Sequence, residues 1–454
     1  MCRDDESAEP EDHGVMLGAV YSGGMRRPPP TLAAGRAPDA RPGIHRGIVA
    51  LALGLATLTA FAACDLGPVP EPAEEPTAIT RGVSAPPAAD PTEIHVSQRI
   101  GSMTTEQKVA ALVMVHVPGT DAAAIRAVID AHELGGVILM GDNMAGDPAA
   151  TLELTSGLSA DTGLPLLTAI DQEGGIVRRL PGDGWPAGRA LQGANPQAVE
   201  EAFADRSALV ASAGVLVNFG VVADIEIGSG SFIGPRTLGA TPEAAAERVA
   251  AAVRGEKGRA LSTLKHFPGH GASPDDSHVS IPTSGASLAE WRATHAVPFA
   301  AGIEAGAPLV MTGHLRFDSV SPLPASLSPT WIRILRDELA FDGVIVTDDL
   351  LMLQRSGDAR YRDPIENGVR ALAAGNDLLL YVLPGDPSTV GFEAGALVDA
   401  LVAAVASGRV DEADVDDSLR RVLTLRRAAS GESGPYRDCG PKCLGESPRA
   451  RDTA

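Results

Sequence analysis

The sequence predicts a single (β/α)8 TIM-like barrel preceded by a disordered N-terminal tether. Three observations predict it. From about residue 98 short apolar runs recur, alanine-rich amphipathic stretches such as AAAIRAVIDAHE and PEAAAERVAAAVRGE separate them, and chemistry-bearing side chains sit at the ends of the runs. The runs are AALVMVHV, GGVILM, PLLTAID, GVLVNFGVVAD, LSTLKHF, PLVMTGHL, GVIVTDD and DLLLYV, centred near 114, 138, 168, 219, 264, 311, 346 and 379. Eight strands close a barrel, whereas a doubly wound open sheet has no need of that number. Asp171 ends the third run, Asp224 the fourth, Lys265 and His266 the fifth, His314 the sixth, and Asp348 with Asp349 the seventh. A barrel places its active site at that C-terminal face.

Composition narrows the function classes. The 454 residues are 44% hydrophobic and 21% charged, an ordinary globular mix. The 58 acidic residues outweigh 37 basic ones to give a net charge of -21, which repels phosphate backbones, so no nucleic acid partner is expected. Cys2, Cys64, Cys439 and Cys443 are too few for a disulfide framework and all avoid the barrel region.

Residues 1–64 read as an export and lipidation signal. The uncharged run 48–63, IVALALGLATLTAFAA, follows Arg46 and ends in small residues, as a signal peptide does. It is shorter than the roughly 20 residues of a spanning helix, so cleavage is favoured over a permanent anchor. Ala62 and Ala63 before Cys64 resemble a bacterial lipobox, which makes Cys64 the lipidated residue, although Phe61 departs from the usual leucine; the alternative is a plain secreted protein. Residues 1–44 are long and acidic for an n-region, and a start at Met25 would supply Arg26 and Arg27 at once. The proline-, alanine- and glutamate-rich residues 65–97 read as a linker that holds the barrel, 98–428, off the membrane. Residues 429–454 are a polar tail in which Cys439 and Cys443 could pair after export, or hold an adventitious metal.

The densest chemistry lies in LKHFPGHGASPDDSHVSIP, residues 264–282, where His266, His270 and His278 fall within a short span. A metal site is one reading, but Pro268 and Gly269 break any helix that would align His266 with His270. For His270 a packing role is expected, and no metal or other cofactor is assigned.

MTTEQKVA at 103–110, GGVILM at 135, DQEGGIVRRL at 171, FGVVADI at 219, GPRTLG at 234, KHFPGHG with DDSH at 265–278, and VTDDLLM at 346 together resemble the glycoside hydrolase family 3 N-terminal barrel, in its β-N-acetylglucosaminidase branch. The resemblance spans about residues 98–428. It implies that Asp348 is the nucleophile of a retaining mechanism, with Asp349 as its structural neighbour, and that a mobile loop carries His278 and Asp276 as the acid/base pair. Gly269, Gly271, Ala272 and Ser273 would let that loop swing. An imidazole titrates near neutrality and can both give and take a proton, while the carboxylate two residues away fixes its tautomer. Asp171, Arg179, Arg236, Lys265 and His266 resemble the ring that binds a nonreducing terminal sugar, with Asp224 and His314 behind it; Trp185 could stack on a sugar face.

The expected activity is exo-acting β-N-acetylglucosaminidase on a GlcNAc-containing saccharide or muropeptide derived from peptidoglycan, by a chain tethered to the membrane through a lipid. The alternatives are phosphorolysis of the same bond, a metal-dependent barrel hydrolase, and a non-catalytic wall-sugar-binding lipoprotein. Aromatic residues make up only 4% of the chain, which favours a short pocket over an extended polysaccharide groove. Nothing in the sequence speaks to oligomeric state.

Overall fold

Each of the eight apolar runs supplies one barrel strand. In the computed structural model the described residues form ten strands, β1 Val113–Val115, β2 Gly136–Leu139, β3 Leu167–Ile170, β4 Val217–Val222, β5 Leu261–Phe267, β6 Thr283–Ser284, β7 Leu309–Thr312, β8 Arg316–Phe317, β9 Val344–Thr347 and β10 Leu379–Tyr381. The structure describes residues 90–144, 146–159, 164–226 and 230–431. The run 48–63, Met25, Cys64, the linker up to residue 89, and Cys439 and Cys443 lie outside the described residues.

Eight strands form one all-parallel sheet in the order β10-β1-β2-β3-β4-β5-β7-β9. The ends of that row meet through a parallel bridge between Val346 and Leu378, reinforced by Leu350 N–H donating to Leu380 O at 3.0 Å, so the sheet curls into a barrel. Strands in such a sheet are covered on both sides and read as unbroken apolar runs. Accordingly every residue of β1, β2, β3, β4, β7, β9 and β10 is buried.

The helices begin by a repeated device. An Asp, Asn or Thr cap is followed at once by proline, at Asp147–Pro148, Asn195–Pro196, Thr241–Pro242 and Asp363–Pro364, and each cap side chain accepts a first-turn N–H. Proline suits that position because its missing N–H would have had no helical partner.

The same device corrects one boundary. Asp90 caps a helix, Pro91–Ser102, that starts inside the stretch 65–97 read as linker. Pro91 there opens a helix and does not extend a tether, and the helix buries His95, Val96 and Ile100. Arg420 Nη1, on the last helix Glu412–Ser430, reaches Glu93 Oε1 at 2.9 Å, and that helix runs on past the expected end at 428.

The loop after β5 is held at both ends. At its start, Phe267 sits among Trp291, Phe299 and Trp331, with ring centroids 5.9, 5.4 and 5.8 Å away, and Trp291 Nε1 donates to Pro268 O at 2.8 Å. At its end, β6 pairs in parallel with β8. These two-residue strands are additional to the eight predicted. Among the described residues no helix is long and apolar enough to cross a membrane.

Candidate active site

At the C-terminal mouth of the barrel lies a cavity of about 270 Å³ lined by Asp171, Ile176, Val177, Arg179, Phe232, Arg236, Lys265, His266, His270, Ser277, His278, Met311 and Asp348. All five residues assigned to sugar binding and two of the three assigned to catalysis share this one space. Asp276 stands behind His278.

Strand β3 delivers Asp171, and the hairpin beyond it delivers Glu173. Lys265 Nζ, from β5, donates to Asp171 Oδ1 at 2.9 Å and to Glu173 Oε1 at 2.7 Å, and Arg179 Nη2 reaches Asp171 Oδ2 at 3.1 Å. Arg236 grips Glu173 with both arms of its fork, Nε to Oε2 at 2.9 Å and Nη2 to Oε1 at 2.6 Å. Burial alone would raise both carboxyls, but Lys265 with Arg179 brings Asp171 down to about 2, and Arg236 with Lys265 does the same to Glu173. The result is a ring of fixed donors and acceptors, suited to a ligand covered in hydroxyls.

His266 belongs to that ring as a neutral imidazole. Burial and the Arg236 charge hold it well below its ordinary value. Its Nδ1 lies 2.7 Å from Asp224 Oδ2 and its Nε2 3.3 Å from Arg236 Nη2, so the Nδ1–H tautomer donates to Asp224 and accepts from Arg236. Asp224 also accepts the N–H groups of His266 and His270, and is a support behind the wall. His314 is likewise buried, between Ser326 Oγ at 2.7 Å and Asp349 O at 2.8 Å.

Two adjacent aspartates end β9 in different surroundings. Asp348 faces the cavity; burial would raise its carboxyl, yet the Asp349 N–H at 2.8 Å and the Lys265 charge help hold it below the usual range. It is ionised at neutral pH. Asp349 turns inward, accepts the N–H groups of Leu351 and Val382 at 3.0 Å each, and is pushed up to about 6 by burial.

His278 lines the same cavity from the loop after β5. Its Nδ1 lies 2.7 Å from Asp276 Oδ1, its side chain is half exposed, and Phe232 meets it edge-on at a centroid distance of 5.4 Å. His270 is buried, as a packing role requires, and its Nε2 holds Ser277 Oγ at 2.8 Å; its ring also forms part of the cavity wall. His266 Nδ1 is engaged by Asp224 and His270 Nε2 by Ser277, and among the described residues no group of three or more His, Cys, Asp or Glu is gathered that could hold an ion.

Two expectations change. Trp185 does not line the cavity but packs partly buried against the core cluster that contains Leu191, Phe203 and Phe267; the aromatic at the mouth is Phe232. Nor is 269–273 a free hinge, because a side-chain carbon on Gly271 would lie 1.7 Å from Ile225 O. The exposed part of the loop begins at Pro274. Glu173, Phe232, Ser277, Ile176 and Met311 were not singled out from sequence. Of these only Glu173 carried a signal, two residues from Asp171 in the DQEGG motif.

An ionised carboxylate and a carboxylate-backed imidazole that line one cavity together with a ring of hydroxyl-binding groups can cleave a glycosidic bond. Comparison with known proteins gives the family. Residues 104–425 match the Glycosyl hydrolase family 3 N terminal domain, and the chain belongs to that family of glycoside hydrolases. It is 36% identical over 259 residues to a β-hexosaminidase of Thiobacillus denitrificans, covering 54% of this chain and 71% of that protein. A family 3 β-N-acetylglucosaminidase of Paenibacillus superposes with a TM-score of 0.67 at 34% identity, over 76% of this chain and 67% of that one. A β-N-acetylhexosaminidase of Beutenbergia cavernae, at 29% identity and TM-score 0.63, is covered over 99% of its length and matches 73% of this chain.

Proposed function

We propose that this glycoside hydrolase is an exo-acting, retaining β-N-acetylglucosaminidase that removes terminal GlcNAc from peptidoglycan fragments. The observation that carries the reading is the sharing of one small cavity by Asp348 and His278, together with the Asp171, Arg179, Arg236, Lys265 and His266 ring. A cavity of about 270 Å³ suits one sugar residue, which favours exo action. Asp348 attacks C1 while His278 protonates the departing oxygen, and the glycosyl ester on Asp348 is then opened by water that His278 deprotonates. Asp276 fixes the ring tautomer and stabilises the imidazolium. The names of the β-hexosaminidase and β-N-acetylglucosaminidase relatives support the amino-sugar specificity.

The test is release of 4-nitrophenol from a panel of aryl β-glycosides, with and without chelator and phosphate. The N-acetylglucosaminide is expected to be the preferred substrate, chelator to have no effect, and free sugar to be the product even in phosphate. Sugar phosphate as product would make the enzyme a phosphorylase, inhibition by chelator would favour a metal-dependent hydrolase, and silence on the whole panel would leave a binding protein. Asp348→Asn should lower turnover at least ~1,000-fold with the fold intact; near-normal turnover would remove Asp348 from the role.

The wall-fragment assignment rests on export, for which the run 48–63, Cys64 and the proline-rich stretch beyond it are the support. The expected outcome in a bacterial host that processes lipoproteins is partition of the mature protein into the detergent phase, lost in Cys64→Ala. Wild-type protein found in the aqueous phase would remove the anchor.

A further inference from the structure

The sugar-binding loop 171–180 rests on a buried ion pair that touches no part of the cavity. Arg206, on the helix Pro196–Ser212, reaches Asp183 with Nε to Oδ2 at 2.7 Å and Nη2 to Oδ1 at 3.1 Å, both side chains fully buried. Arg206 Nη2 also donates to Trp185 O and Pro186 O, at 3.3 and 3.1 Å. Asp183 Oδ2 in turn accepts Gln172 Nε2 at 2.8 Å, and Gln172 Oε1 accepts the N–H groups of Arg179 and Leu180, each at 2.9 Å. Gln172 is itself clamped by Asn218, whose Oδ1 accepts its N–H at 3.0 Å and whose Nδ2 donates to its carbonyl at 3.1 Å.

We propose that Arg206, Asp183 and Gln172 form a positioning unit that sets the grip on substrate by fixing Arg179 relative to Asp171. The proposal rests on the assignment of Asp171 and Arg179 as sugar ligands. Gln172 lies between Asp171 and Glu173, so one amide side chain ties the start of the loop to its far end. The loop also lies directly on Arg206: a side-chain carbon on Gly174, at φ +83°, would collide with the Arg206 guanidinium. Loosening the unit leaves Asp348 and His278 in place, since they are carried by β9 and by the loop after β5. The loss therefore falls on binding shared by ground and transition states, and KM rises while kcat holds.

The full-length chain carrying Arg206→Lys, which keeps the charge but not the fork, or Asp183→Asn is assayed with 4-nitrophenyl N-acetyl-β-D-glucosaminide beside a thermal melt. The expected result is KM higher by about tenfold with kcat within about threefold, and a smaller change for Arg206→Lys than for Arg206→Met. Folded variants with a lower melting temperature and unchanged KM would make the pair merely structural and overturn the proposal. Amide hydrogen exchange on the wild type decides the case if the variants do not fold. The Arg179 and Leu180 amides should then exchange as slowly as the barrel strands, and exchange as fast as at the exposed hairpin tip Ile176 would overturn it. A wild type silent on the aryl glycoside would remove the activity reading, and the exchange result would still judge the positioning unit.

Discussion

His278 is half exposed in a cavity whose other polar groups are buried or only partly exposed, and its partner Asp276 explains how it would still serve as the proposed proton carrier. Slight burial would raise the Asp276 carboxyl, but the N–H and the ring of His278 more than offset it, so the carboxylate stays ionised and ready to stabilise an imidazolium. Protonation matters most when the leaving group is poor. His278→Ala should therefore lose roughly 100-fold or more on a disaccharide or methyl glycoside, and much less on the 4-nitrophenyl glycoside. Matched steady-state rates on the two substrates check this, and equal losses would make His278 a structural residue. Asp349 offers no substitute for Asp348, because the Leu351 and Val382 amides and Arg355, at 3.3 Å, already turn its carboxyl away from the cavity.

Elements differ in how plainly the chain announces them, and the reason is burial. Strands such as β2 and β9 are covered on both faces, so GVIL and VIVT stand out as continuous apolar runs with a polar residue aimed into the mouth after the last one. Strands β6 and β8 are two residues each, too short for any period to show, yet Arg316 N–H donating to Pro282 O at 2.9 Å helps fasten the end of the His278 loop. Asp90-Pro91 was read as tether because proline marks both linkers and helix starts, and only the packing of Val96 and Ile100 decides between them. Gly271 shows the same ambiguity. From sequence a glycine means freedom, whereas here it means close approach to Ile225 O. In the charged ring, Asp171, Lys265 and His266 were legible as polar residues at the ends of apolar runs, and Arg179 and Arg236 only through the motifs that carry the family resemblance. Phe232 was not, because a single aromatic in an irregular loop carries no periodic signal.

The whole molecule holds opposed buried carboxylates, and its stability should respond to pH from both sides. Glu173 falls to about 2 in the folded chain from an ordinary 4.5, so its contribution, on the order of 3 kcal/mol, is present above about pH 4.5 and is lost as pH falls toward 2. Glu256 goes the other way. It ends the helix Pro242–Glu256, where the helix dipole disfavours a negative charge, and burial pushes it up to about 8. Its Oε1 accepts Asn218 Nδ2 at 2.6 Å, while Oε2 has no hydrogen-bond partner among the described residues. The folded state thus keeps a proton that the unfolded chain releases near pH 4.5. Glu256 costs nothing below that pH, and its cost grows until the folded group ionises near 8. Glu256→Gln keeps the carbonyl that Asn218 needs and removes the ionisation. Its melting temperature should match the wild type within about 1 °C at pH 4 and exceed it by roughly 3 °C or more at pH 9. A gain equal at both pH values, or a loss at pH 9, would show that Glu256 is ionised in the folded barrel and that Arg206, whose charge also acts on it, is its true counterion.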